Sequence, residues 1–333
     1  MSAGARMPFS ISILDVGHGN SAVVMAPGWV AIIDAGPGGA LLSFLREQDI
    51  TVVDEFLISH ADEDHIGGLI ALLASGEFFV KRVRLNSDAH KDSDIWNDLL
   101  IALDSAQRQG RIDFSPVLTV ADNGLFDHQG VRLEILGPST YLAGRGPGST
   151  DRSGRPITTN SISAVIRVSV DGRRVVLFPG DIDQVGLDEL LYNDGLDPHA
   201  EVLVFPHHGG RSGQTDVTVF SSSITQAVRP MVVVFSIGRG RHATPLPEVV
   251  AAIRAQAPAP RIACTQLSDR CSAAVPKGDP GHLNPVFSRG RERSHCCAGT
   301  IVISDGAPGG ALLPATTEHI AFIRTNAPSA LCL

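Results

Sequence analysis

Residues 59–68 read SHADEDHIGG, and between His60 and His65 they bring together two histidines and three carboxylates. An apolar run precedes them, so 52–59 is predicted as a buried strand and the stretch begins where that strand stops. The glycine pair leads into an apolar helix over 69–74. Loops at the C-terminal ends of buried strands are where α/β folds bind their ligands. Asp62, Asp64 and His65 on such a loop, with His60 at the strand tip, are placed to converge. Carboxylates packed this closely repel one another unless a cation holds them. Imidazole and carboxylate together suit zinc, manganese or iron better than calcium. The bland alternative is a solvated acidic turn with incidental histidines.

Three further stretches argue against that alternative. In VVLFPGDID (175–183) Asp181 follows a strand and a Pro-Gly turn. In VLVFPHHGGRSG (202–213) His207 and His208 emerge from another apolar strand into glycines. In VVVFSIGRGRHATPLPEVV (232–250) His242 sits in a Gly/Arg-rich loop ahead of a helix. Each stretch repeats one pattern, a buried strand ending in residues able to bind metal or move a proton.

The rest of the chain supplies a scaffold for that pattern. Strands are predicted at 9–14, 21–25, 30–34, 80–85, 131–136, 161–170, 174–178, 200–205, 231–236 and 299–304. Helices are predicted at 39–47, 93–109, 185–192 and 245–255, and 143–159 reads as a Gly/Ser/Arg-rich loop. No repeat at solenoid periods is visible. Strands alternating with helices indicate a layered α/β fold.

Composition sets the outer bounds. The 333 residues suffice for one large domain; 43% are hydrophobic, 19% charged and 34 are glycine, which is globular and loop-rich. The net charge of −8 argues only weakly against a nucleic-acid partner, because bound cations would offset ligand carboxylates. There is no run of about eighteen apolar residues, so no membrane partner is expected. The opening MSAGARMPFSISILDVG has a strand-like apolar part and no secretory pattern, so a cytoplasmic location is expected. The five cysteines lie late in the chain and fit reduced thiols or a metal better than a disulfide framework.

Taken in order, these motifs resemble those of the metallo-β-lactamase superfamily. His60-x-Asp62-x-Asp64-His65-x-Gly67-Gly68 is similar to its signature loop, with Asp62 where a second histidine is usual. That variant resembles the hydrolase domain of the ComEC-type DNA-uptake channel proteins. So do Asp15-Val16-Gly17-His18-Gly19-Asn20, Asp34-Ala35-Gly36, Asn160 to Ser163, Pro179-Gly180-Asp181, His207-His208-Gly209-Gly210, Ser236-Ile237-Gly238 with His242, and Gly299-Thr300-Ile301. The likeness runs from about residue 9 to 304. His18, Asn20 and Gly210 depart from it, and the membrane helices of those channels have no counterpart here.

The resemblance implies a four-layer αββα sandwich over 8–305; the Cys/His-rich stretch at 264–297 stands where that pattern has only a short turn and reads as an insertion, and the Ala/Pro/Gly-rich composition of 306–333 reads as a peripheral tail. The resemblance also implies two divalent metal ions, zinc or manganese. One would take His60, Asp62 and Asp181; the other Asp64, His65, Asp181 and His207. Asn160 stands where a third ligand of the first ion is usual, and Asp34 would orient the ligand loop. The implied activity is metal-assisted hydrolysis, foremost of a phosphodiester in DNA or RNA. Asp64, His208 and His242 would be catalytic, and Arg239 and Arg241 would grip a flanking phosphate. The alternatives are hydrolysis of a small lactone, thioester or lactam, or a non-catalytic metal-binding regulatory protein. Whether a regulatory partner exists is left open.

Within the insertion, Cys264, Cys271, His282, His295, Cys296 and Cys297 are enough for a structural zinc. Small buried cysteines beside free loop histidines are the competing reading. Arg261, Arg270, Lys277, Arg289, Arg291 and Arg293 outnumber Asp269, Asp279 and Glu292 there, hinting at a phosphate-facing surface.

Overall fold

The computed structural model describes residues 8–192, 195–213, 215–240, 242–276, 280–304 and 311–333. Two sheets face each other. The first is built from β1 (Ser10–Ile13), β2 (Ser21–Ala26), β3 (Trp29–Ala35), β4 (Val52–Leu57), β5 (Phe79–Arg84) and β6 (Asp113–Ser115). The second contains β7 (Val131–Gly137), β8 (Val165–Val170), β9 (Arg173–Phe178), β10 (Val202–Val204), β11 (Val232–Phe235) and β12 (Arg261–Cys264). β13 (Ile301–Ser304) and β14 (Ala311–Leu313) return to the first sheet, giving the order β14-β13-β1-β2-β3-β4-β5-β6. The second sheet runs β12-β11-β10-β9-β8-β7.

Strand patterning explains the layers. Ile11, Ile13, Ala31 and Ile33 point into a shared core with Leu133, Ile166, Val168, Val176 and Val234 of the other sheet. The alternate residues Ile32 and Phe56 meet α1 (Ala40–Glu47), α2 (Glu63–Ser75) and α3 (Asp94–Arg108) through Phe44, Leu69 and Trp96. On the far side, Leu177, Leu203 and Val233 meet α5 (Gln184–Tyr192), α6 (Val217–Val228) and α7 (Pro247–Arg254), with a short α4 (Thr140–Arg145) before them. Central strands buried on both faces read as continuous apolar runs, as two-sided burial requires. The result is the αββα sandwich. No described helix is long and apolar enough to cross a membrane.

β3 to β6 and β9 to β12 are parallel, so the C-terminal ends of β3, β4, β9, β10 and β11 are the ends that carry the motif residues. Helix α2 starts earlier than its apolar run predicts. Asp62 is its N-cap, Asp64 and His65 lie in its first turn, and both glycines are inside it. The reason is close approach: a Cβ on Gly68 would lie 2.6 Å from the Gly36 carbonyl oxygen and 3.2 Å from Ala35 Cβ. Helix α6 escapes sequence patterning because its Val, Thr and Ser content is a weak helix former. Asp216 caps it, accepting from Thr218 N (2.8 Å) and Val219 N (3.1 Å), and Phe220, Ile224 and Val228 bury one face.

Two expectations are corrected. The tail is integrated, not peripheral: β14 pairs with β13, and α8 (Thr316–Asn326) places Ile323 in the outer core of the second sheet. Among the described residues, the thiols and imidazoles of the insertion form no group with metal-ligand spacing. Cys296 Sγ lies 3.5 Å from Asp15 Oδ2, Cys297 Sγ lies 3.3 Å from His319 Nε2, and His282 Nε2 donates to the Cys297 carbonyl. Cys264 and Cys271 pack among the apolar side chains outside the second sheet. The insertion is held by Asp15 instead. This buried carboxylate accepts from Gln266 Nε2 (2.8 Å) and Gly290 N (2.8 Å), while its own N–H donates to Thr300 Oγ1 (3.0 Å).

Replacing Gly68 by alanine tests the α2 contact. In a free helix interior that change stabilises by about 1 kcal/mol; here the clash with backbone is expected to destabilise by about 1–3 kcal/mol. Chemical denaturation reads the sign, and a gain in stability would contradict the close approach.

Candidate metal centre

Asp34 ends β3 in the left-handed region (φ 60°) and is 2% exposed. Its carboxylate accepts from Ser59 N (2.7 Å), Ser59 Oγ (2.8 Å) and His65 Nδ1 (2.8 Å). One acid thus locks the end of β4 and the first turn of α2. With Nδ1 committed, His65 aims Nε2 at Asp181, 3.5 Å from Oδ1, and this fully buried nitrogen has no hydrogen-bond partner. Asp181 arrives on a turn made possible by Gly180 (φ 54°). A Cβ there would lie 2.2 Å from Ser163 Oγ and 2.6 Å from Ser59 Cβ.

The β10 end contributes two adjacent histidines, both left-handed, at φ 52° and 54°. Such backbone is uncommon outside glycine and is held only where its surroundings enforce it. It sends the two rings to different partners. His208 Nδ1 donates to the Ser236 carbonyl (2.7 Å), leaving Nε2 3.0 Å from Asp64 Oδ2 and 4.0 Å from Asp181 Oδ2. His207 donates from Nε2 to the Ile182 carbonyl (3.2 Å), and its Nδ1 is 3.5 Å from Asp181 Oδ2.

Asp64, His65, Asp181 and His208 therefore present ligand atoms all within 4.8 Å of one another, the group among the described residues with metal-ligand spacing. It differs from the expected set in one member, His208 in place of His207. Two imidazoles and two carboxylates are a donor set for zinc or manganese. The orphaned His65 Nε2, with its tautomer fixed from behind by Asp34, is what a bound cation would satisfy.

His60 and Asp62 form a neighbouring pair, Nε2 to Oδ2 at 3.4 Å, and the buried His60 Nε2 makes no hydrogen bond. Asp62 also forms an ion pair with Lys91. Burial opposes its charge, but His60 and Lys91 bring its pKa down to about 2. Asn160 lies in a short turn leading to Ser163, its Oδ1 buried without a partner.

His18 belongs to the centre although only its departure from the family pattern pointed to it. Its Nε2 is 3.5 Å from Asp64 Oδ2, and its ring lies 4.3 Å from His208 and 4.1 Å from His242, centroid to centroid. Burial, then the neighbouring His208, push its pKa down to about 3. The Gly19-Asn20 backbone buttresses the same point, with Asn20 N donating to the Asp64 carbonyl (3.0 Å).

Arg239 is not available to a substrate. Its guanidinium donates to the carbonyls of Leu267, Ser272 and Ala273 and pairs with Asp269, and its side chain is 7% exposed. A Gly/Arg-rich loop reads as mobile in sequence, but these carbonyls consume the charge. Arg241 lies outside the described residues.

Residues 14–219 match the family model described as "Metallo-beta-lactamase superfamily". The chain is 24% identical over 225 residues to "Competence protein ComA" of Neisseria gonorrhoeae, covering 66% of this chain and 26% of that protein. It is 25% identical over 243 residues to "Recombination protein 2" of Haemophilus influenzae, covering 71% and 25%. It thus spans about a quarter of the length of these curated relatives. A metallo hydrolase from the archaeon Ignicoccus hospitalis aligns at 16% identity and TM-score 0.45, covering 77% of this chain and 94% of the other.

The electrostatics of the metal-free centre give a pH prediction. Burial opposes the charged forms, yet Asp34 and Asp181 hold the His65 pKa above its ordinary 6.5, and Asp181 and Asp64 raise that of His208. Asp64 and Asp181 are correspondingly held below the usual carboxylate range by the histidines around them. Raised histidine pKa values stabilise the fold fully below about pH 6.5 and lose that contribution as pH rises through the folded values. A cation must expel these protons, so its affinity runs the other way. Chelated protein should lose thermal stability as pH rises above about 6.5, while zinc or manganese affinity rises and protons are released on binding. Affinity that is flat with pH would contradict the protonated pair.

Proposed function

The chain belongs to the metallo-beta-lactamase superfamily, and on that premise we propose that it is a metal-dependent phosphodiester hydrolase acting on DNA or RNA. The observation that carries this reading is the mouth of the centre. His18, His207, His208, Arg211 and His242 line an open cleft around Asp64 and Asp181, with no apolar enclosure. Next to it, sharing His18, is a cavity of about 370 Å³ lined by Arg239, Arg289, Arg293 and His295, with Glu292 as its carboxylate; Arg239 and, through Nη1, Arg289 also donate to backbone carbonyls. A small ester or lactam calls for a closed apolar pocket; a polyanion calls for an open groove with cations along it. The names of the relatives, a competence protein and a recombination protein, point the same way.

A divalent cation, when bound, supplies a Lewis acid and brings the pKa of its water towards about 7. Asp64, His65, Asp181 and His208 would hold it. The chain's own tasks are positional. Asp34 keeps the His65 lone pair forward, and the Ser236 carbonyl does the same for His208. His18, neutral at pH 7, sets its Nε2 3.5 Å from the Asp64 carboxylate without adding charge. His242, exposed and with its ring tilted against that of His18, is placed to deliver a proton to a leaving oxygen at the cleft mouth.

Leaving-group chemistry separates that role from mere packing. His242→Ala should slow cleavage of an oligonucleotide about 100-fold and barely affect bis-nitrophenyl phosphate, whose nitrophenolate leaves without a proton. Equal losses on both would remove His242 from proton delivery. In the same panel, turnover of a lactone or thioester with no phosphodiester cleavage would overturn the assignment. Metal binding without turnover of any substrate would favour a regulatory protein.

A further inference from the structure

Lys91 answers a question that the His60–Asp62 pair raises. The two face each other as ligands of a first metal would, yet Asp62 and His60 fall outside the group with ligand spacing. Asp62 occupies the N-cap of α2, where an aspartate side chain ordinarily accepts from the first helical N–H groups. It makes no such bond. Its carboxylate turns outward instead, Oδ2 to His60 Nε2 and Oδ1 to the ammonium of Lys91.

That ammonium is delivered by a fixed segment. Between β5 and α3, the carbonyl of Asp88 accepts from Lys91 N (3.3 Å) and from Trp96 Nε1 (3.1 Å), and the Asp88 carboxylate accepts from His90 N (2.9 Å). Asp88 and Trp96 are both buried. The ion pair itself is partly buried, with side-chain exposures of 22% for Lys91 and 29% for Asp62.

We propose that the Lys91 ammonium is the tethered cation of the first site, so that this chain takes one divalent ion, at Asp64, His65, Asp181 and His208. A monovalent charge on a four-carbon stem neutralises Asp62 where a second metal would otherwise do so. Its presence opposes a divalent ion there by like-charge repulsion. The shortage of a further donor at that site, where Asn160 offers an amide, acts in the same direction. This inference rests on the metal centre described above but not on the phosphodiester substrate.

Metal content by mass spectrometry and zinc or manganese titration by calorimetry, on protein without substrate, test it. Unaltered protein and Asp62→Ala should each bind one equivalent, and Lys91→Met should bind two. Two equivalents in the unaltered chain, loss of the ion in Asp62→Ala, or a single equivalent in Lys91→Met would each overturn the proposal. Asp64→Ala serves as control, with no tight site expected. Because the readout is a count, a failure to cleave phosphodiesters leaves it unaffected.

Discussion

The structure turns on the buried carboxylate of Asp34. It takes three hydrogen bonds at once, from the Ser59 backbone, the Ser59 hydroxyl and the His65 ring. These come from the end of β4 and the start of α2, so a single group fixes the relation of strand, loop and helix at the sheet edge. A buried charge of this kind is tolerable only when its hydrogen bonds are complete. Completing them orients His65, and His65 in turn faces Asp181 from the opposite sheet. The αββα sandwich can be seen as the device that brings the two edges close enough for this.

Close approach is what glycine supplies around that bond. Gly68 lets α2 touch the Gly36 backbone, and Gly180 lets the Asp181 turn come down on Ser59 and Ser163. The adjacent left-handed residues His207 and His208 are the converse, side chains kept where glycine would be easier. Strain at such positions is held by the surrounding contacts and concentrates at functional sites. Here it splits two neighbouring rings between Asp181 and Ile182 on one side and Asp64 on the other.

The αββα layering and the residues of the centre were legible in sequence because each functional group follows an apolar strand, and strand ends are readable from burial patterning. The choice between His207 and His208 was not, since adjacent residues share every sequence context and even the same left-handed φ, and only the folded surroundings send their rings to different partners. His18 was visible as a departure from a pattern, with nothing to say that its ring would sit between those of His208 and His242. Lys91 lies in a loop without a motif. Arg239 misled because a guanidinium in a Gly-rich loop looks free, and only the fold reveals the carbonyls that consume it. The insertion misled similarly: its thiols suggested zinc, whereas Asp15 anchors it from a strand end some 250 residues away in sequence.

The central claim is that Asp34 sets His65 to share one cation with Asp64, Asp181 and His208. Anomalous diffraction at the metal edge, from crystals grown with zinc or manganese, tests it most directly. The account predicts a strong peak within bonding distance of the Nε2 atoms of His65 and His208 and of both carboxylates. A principal peak elsewhere, with His65 Nε2 left unliganded, would contradict it.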